Sequence, residues 1–184
     1  MKTKFIYLTI IFMVIGCSNA NFETGTIERK FVLEDIVAND DDVEKVGTME
    51  KVQYKIFNDE IIYELDDFIK IPKLKKSEEF PVDLKDDDGN FVTPKSTGIY
   101  TMFYRHSDLG PLDLELRLYD NNKDAKEYGK NAAEKSISTV ALTIGGHVRS
   151  EKYLYDAYVL KGNSILLCQN SLDVCDEIYE KIEK

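Results

Sequence analysis

The chain has no tryptophan, two histidines, three cysteines and four prolines among its 184 residues. So sparse a stock of metal-binding and redox side chains removes several chemistries at once. His106 and His147 lie far apart, and no histidine flanks Cys168 or Cys175, so the ligand spacing of a zinc site is missing. Those two cysteines are also too far apart for a Cys-x-x-Cys redox pair. Lys and Arg, 24 in all, are outnumbered by 34 Asp and Glu, and the densest run, Lys70 to Lys76, holds only four. Nucleic acid is therefore not a partner, because phosphate binding needs a concentrated positive patch. No Gly-x-Ser-x-Gly elbow is present, and Gly145-Gly146 lacks the strand-Gly-x-Gly-x-x-Gly-helix setting of a nucleotide site. No internal repeat occurs. Beyond the first fifteen residues every apolar stretch is broken by charge, so none reaches the roughly 20 residues that a spanning helix needs.

What is present begins at the amino terminus. Met1-Lys2-Thr3-Lys4 is basic, Phe5 to Ile15 is apolar, and Val14-Ile15-Gly16-Cys17 leads into the polar Ser18-Asn19-Ala20. A basic start, an apolar run and a small residue make a secretory leader. Val14-Ile15-Gly16-Cys17 resembles the lipobox of bacterial lipoproteins. That resemblance implies cleavage before Cys17, diacylglycerol on its sulfur and a further acyl chain on the freed amine. The protein would then be extracytoplasmic and held to a membrane through the acyl chains on Cys17, since two or more chains anchor stably where one does not. Ser18 follows Cys17 where lipoproteins of this kind kept at the inner membrane carry Asp, which favours the outer membrane in a two-membrane host. The expected division is a leader at 1–16, a lipidated terminus and tether at 17–27, and one globular domain at 28–184.

Losing Lys2 and Lys4 with the leader takes the formal charge from −10 to −12. Most of it lies between Glu34 and Asp88. Such a domain is repelled by anionic headgroups and suits a body held off the surface by a tether. An apolar fraction of 43% argues for a folded core rather than a stalk.

Leu112, Leu114, Leu116 and Leu118 alternate with Asp113, Glu115, Arg117 and Tyr119, the pattern of a strand with one dry and one wet face. Asp120-Asn121-Asn122 offers N-cap chemistry for a helix over about 122–138. Ser164 to Cys168 reads as a buried strand. Leu172, Cys175, Ile178 or Tyr179, and Ile182 mark a closing helix over 171–183. Val52–Phe57 and Ile61–Leu65 read as a hairpin about Asn58-Asp59-Glu60, and a first strand falls within Thr26–Val37. Residues 71–81 read as irregular, and 139–150 as a loop or short strand. The fold class expected is α+β, a two-layer sandwich of a mainly antiparallel sheet with both helices on one face. A helix folded back over its own strand brings Cys175 to Cys168, so a disulfide is expected in an oxidising compartment, with two buried free thiols as the alternative.

Candidate sites are few. Placing Gly89 at the sixth position of a calcium loop puts Leu84 first and Lys95 twelfth, so Asp86-Asp87-Asp88-Gly89-Asn90 reads as an acidic turn. His106-Ser107-Asp108 is a polar loop, because adjacency in sequence is not triad geometry. Arg117, Tyr119, Tyr153 and Tyr155 are the candidate binding face, if their strands gather them on the exposed side of the sheet. No catalytic residue, metal or cofactor is expected. The functional expectation is a non-enzymatic, lipid-anchored domain that binds a protein or envelope component. The alternative is a small-ligand or sensor lipoprotein with a pocket between the sheet and residues 139–150.

Overall fold

Two short runs decide the architecture. Ala157–Lys161 and Ser164–Cys168 carry almost no polar alternation, and a strand of that kind must be covered on both faces. The computed structural model describes residues 22–30, 49–138, 141–145, 148–152 and 154–182. In chain order the elements are β1 (Phe22–Lys30), β2 (Met49–Phe57), α1 (Leu65–Ile69), β3 (Leu74–Phe80), β4 (Ser96–His106), β5 (Gly110–Tyr119), α2 (Asn122–Asp124), a π-helical turn (Ala125–Gly129) and α3 (Lys130–Ser138). They continue with β6 (Ala141–Gly145), β7 (Val148–Lys152), β8 (Ala157–Lys161), β9 (Ser164–Cys168) and α4 (Leu172–Glu180). Seven strands form one sheet in the order β1-β2-β8-β9-β5-β4-β3, while β6 and β7 pair with each other. Every neighbouring pair is antiparallel except β2 and β8.

The hairpin β8–β9 thus occupies the middle of the sheet, and its residues point alternately into two separate cores. Leu166 and Cys168 of β9 meet Val159, the four leucines of β5, Phe68 of α1, and Val174, Cys175, Ile178 and Tyr179 of α4. Ile165 and Leu167 face the other way with Tyr158 and Leu160, against Tyr119, Ala125, Ala133 and Ile137. The sheet-dominated α+β class is as expected. The helices, however, do not share a face: α4 lies on one side and the α2–α3 stretch on the other. The physical reason is the central hairpin, whose two apolar faces each need a cover.

Local chemistry explains most element ends. Asn121 caps α2 by accepting the Asp124 amide at 2.9 Å. The π-helical turn ends at Gly129, where a Cβ would lie 2.6 Å from both Ile165 Cδ1 and Tyr119 Cζ, so the missing side chain lets the helix settle on the sheet. Arg29 of β1, 4% exposed, donates to the carbonyls of Ile137 (3.3 Å) and Tyr155 (2.9 Å) and to Asp156 (2.7 Å). One guanidinium thereby ties the edge strand to the C-terminal end of α3.

Three element readings change. β1 begins at Phe22, earlier than Thr26, so four residues separate Cys17 from the first strand. Ile61 to Leu65 is not the second arm of a hairpin. Asn163 claims that segment: its side chain accepts the Tyr63 amide at 2.6 Å and donates to the Tyr63 and Tyr119 carbonyls, while its amide donates to Ile61 O. The charged 71–81 stretch holds β3, an edge strand whose Lys75, Lys76, Glu78 and Glu79 are exposed. Charge on an edge discourages pairing with another chain.

Candidate interaction surfaces

The disulfide sits at the joint between strand and helix. Cys168 ends β9, Cys175 lies on α4, both are fully buried, and their Cα atoms are 5.8 Å apart across the bond. Cys17 lies outside the described residues.

The residues expected to form a binding face do not form one. Arg117, Tyr119 and Tyr155 are 2%, 1% and 5% exposed, beneath the α2–α3 stretch, and Tyr153 lies outside the described residues. Arg117 Nε donates to Glu115 Oε1 at 2.6 Å, and Nη2 donates to Ser136 Oγ at 2.7 Å on α3. The Tyr155 hydroxyl is hydrogen-bonded to Glu115, and burial, then that carboxylate, drives its pKa well above the ordinary phenol value. Burial pushes Tyr119 up to about 12. A charge withdrawn from water this far must be paired, and Arg117 is paired inside its own domain. The polar side of β5 therefore fastens a helix to the sheet. It is not a surface.

His106 finds company that its loop did not reveal. Its Nδ1 accepts the amides of Asp108 and Leu109, each at 3.1 Å, and its Nε2 lies 3.0 Å from Glu177 of α4. Tyr104 donates to Glu177 at 2.8 Å, and Lys181 donates to both Tyr104 and Glu177. The Lys181 hydrogen bond holds the Glu177 carboxyl below its usual range. Burial pulls Lys181 down, but its bonds to Glu177 and Tyr104 outweigh that and raise it. Acid–base catalysis wants groups poised near the working pH, and these two are driven further into their charged forms. With both ring nitrogens engaged, His106 is a strut between the β4–β5 turn and α4. His147 lies outside the described residues. Asp86 is similarly occupied, by Lys135 at 2.9 Å and the Asn90 amide at 2.9 Å, and among the described residues no group of three His, Cys, Asp or Glu is arranged to hold a metal.

The sheet end where the chain enters is different in kind. Phe22 pairs with Phe57 across β1 and β2, their ring centroids 5.6 Å apart, and Phe22 is 49% exposed. Lys55 Nζ lies 4.8 Å from the Phe22 ring and 5.0 Å from Phe57, and Lys161 Nζ lies 5.1 Å from Phe57. Lys55 is also held by Asp176 at 2.9 Å. Beside this cluster opens a groove of about 710 Å³ lined by Glu60, Ile62, Asn121, Asn122, Lys123, Lys126 and Glu127. Lys126 bridges it to the Asn58 turn at 2.5 Å. Its lining residues are mostly polar and of mixed charge, and it borders the 58–62 turn rather than the 139–150 segment where a pocket was expected. The sequence hides this end, because Phe22 and Phe57 come together only through a strand pairing that local patterns do not specify. The register puts the β4–β5 turn at the other end of the sheet, with Leu109 exposed there; Leu154, ahead of β8, is exposed on that side too.

No family model, curated protein or solved structure matches this chain.

Proposed function

We propose that this protein is exported, cut before Cys17 and held by acyl chains on that residue to the extracytoplasmic face of a bacterial membrane. There its domain works by binding an envelope component, most simply a protein, and not by catalysis. The observation that carries the reading is the buried Cys168–Cys175 disulfide, which belongs to an oxidising compartment. It agrees with the Val14-Ile15-Gly16-Cys17 resemblance, which comes from the opposite end of the chain.

The covered sheet faces move the binding surface away from Arg117, Tyr119 and Tyr155. The end remote from the tether, with Leu109 and Leu154 exposed, is the surface available to an envelope partner. Two measurements test the reading. Wild-type protein partitions into the detergent phase and its amino-terminal peptide carries the mass of acylated cysteine, while Cys17→Ala stays aqueous. A photo-crosslinker at Leu109 in growing cells gives a discrete adduct that one at Lys75, on the charged edge, does not. Aqueous partitioning of the wild type, or equal adducts from both positions, refutes it.

A further inference from the structure

We infer that the sheet end bearing Phe22 and Phe57 seats on the lipid headgroup layer, so that the domain is oriented by the membrane as well as tethered to it. This rests on the anchoring of Cys17. Four residues separate Cys17 from β1. At about 3.5 Å per residue, even a fully extended tether lets Phe22 travel no more than about 18 Å from the anchored cysteine. The headgroup region of one leaflet spans about 5–8 Å of that distance. The same end of β1 that receives the tether carries the exposed Phe22 against the partly buried Phe57, so the shortest part of the reach falls on a lipid-compatible surface.

The side chains suit an interface rather than open water. Phe22 is half-exposed beside Phe57, and Ile62, 49% exposed, lies along the adjoining groove. The Lys55 and Lys161 ammoniums lie over these rings, Lys55 also paired with Asp176, and Lys123 and Lys126 line the groove. An aromatic body beside an aliphatic side chain, both open to solvent at the tethered end, is a surface that suits headgroup depth. The acids at this end are Glu23, Asp59, Glu60, Asp120, Asp124, Glu127 and Asp176. They outnumber the lysines, so charge opposes the contact with anionic lipid, as the overall charge leads one to expect, and the apolar groups must drive it; salt, by screening that repulsion, does not weaken it.

The absence of tryptophan makes the test direct. Full-length lipidated protein carrying Phe22→Trp or Phe57→Trp is reconstituted in vesicles of phosphatidylethanolamine and phosphatidylglycerol with brominated acyl chains. Leu109→Trp and Leu154→Trp serve as reporters of the remote end. The expected result is at least twofold quenching at Phe22→Trp and Phe57→Trp, not reduced in 1 M salt, and less than 1.2-fold at the remote positions. Adding Phe22→Glu to the Phe57→Trp protein should bring its quenching down to the remote level. Co-flotation with vesicles but no quenching at either phenylalanine position overturns the seating and leaves the anchor intact. Equal quenching at both ends overturns it too. Failure to co-float overturns the anchor, and the seating with it.

Discussion

Alkaline pH should unfold this domain abruptly, because its tyrosines are stored where they cannot ionise. Tyr63, Tyr119, Tyr155, Tyr158 and Tyr179 are each no more than 5% exposed. Burial is the leading cause that raises each of their pKa values, in Tyr119 to about 12. Burial raises Tyr104 as well, but the Lys181 hydrogen bond offsets part of that, so it contributes less than these five. A group whose folded pKa is raised contributes stability that is complete below the unfolded pKa and is lost as pH rises above it. The unfolded value is about 10. Each such tyrosine then costs about 1.4 kcal/mol of stability at pH 11, or about 7 kcal/mol for the five together, and about 13 kcal/mol by pH 12. Domains are stable by about 5–15 kcal/mol, so the midpoint should fall between about pH 11 and 12. The assay follows phenolate absorbance near 295 nm and far-ultraviolet circular dichroism on the same sample, without reductant. The expected trace has a minor early phase from partly exposed tyrosines such as Tyr54 and Tyr128, then a steep phase that coincides with loss of dichroism. A single gradual titration centred near pH 10 with dichroism intact would refute the reasoning, since it would mean the hydroxyls ionise in place.

Other perturbations read the joints of the fold. Replacing Cys168 and Cys175 together by Ala should cost about 2–3 kcal/mol in the chain-entropy account of so short a loop, lowering the melting temperature by about 5–10 °C, and reductant should do the same to the wild type. Arg29→Ala removes the guanidinium that binds Ile137 O, Tyr155 O and Asp156, and urea titration should show a loss of about 2 kcal/mol. Gly162 has φ +54° and a Cβ there would lie 1.9 Å from Ile61 O, so Gly162→Ala should cost more than about 2 kcal/mol; at Gly89, φ +81° with open space around it, the same change should cost about 1 kcal/mol. Similar urea midpoints for those two variants would count against the contact between the β8–β9 turn and the 58–63 segment.

Local patterns told the truth where the partners were local. The leucine alternation of β5, the Asn121 cap, the Asp86–Asn90 turn and the Cys168–Cys175 pair could each be read from a few consecutive residues, and each is in the structure. Most of the failures share one cause, a partner distant in sequence. Arg117 and Tyr119 alternate with leucines and so resemble a wet face, but Ser136 and Gly129 on the facing helical stretch decide that they are dry. Ile61 to Leu65 has strand-like residues, yet Asn163 meets its backbone groups and no ladder forms. β3 is masked by its own charges, which an edge strand can carry because solvent reaches them. The same rule governs the entry end of the sheet. Phe22 alone is the first residue of one strand, and Phe57 alone is the last of another. Their register sets an exposed Phe22 on a partly buried Phe57 within tether reach of Cys17, so a binding surface here is a property of pairing rather than of any motif.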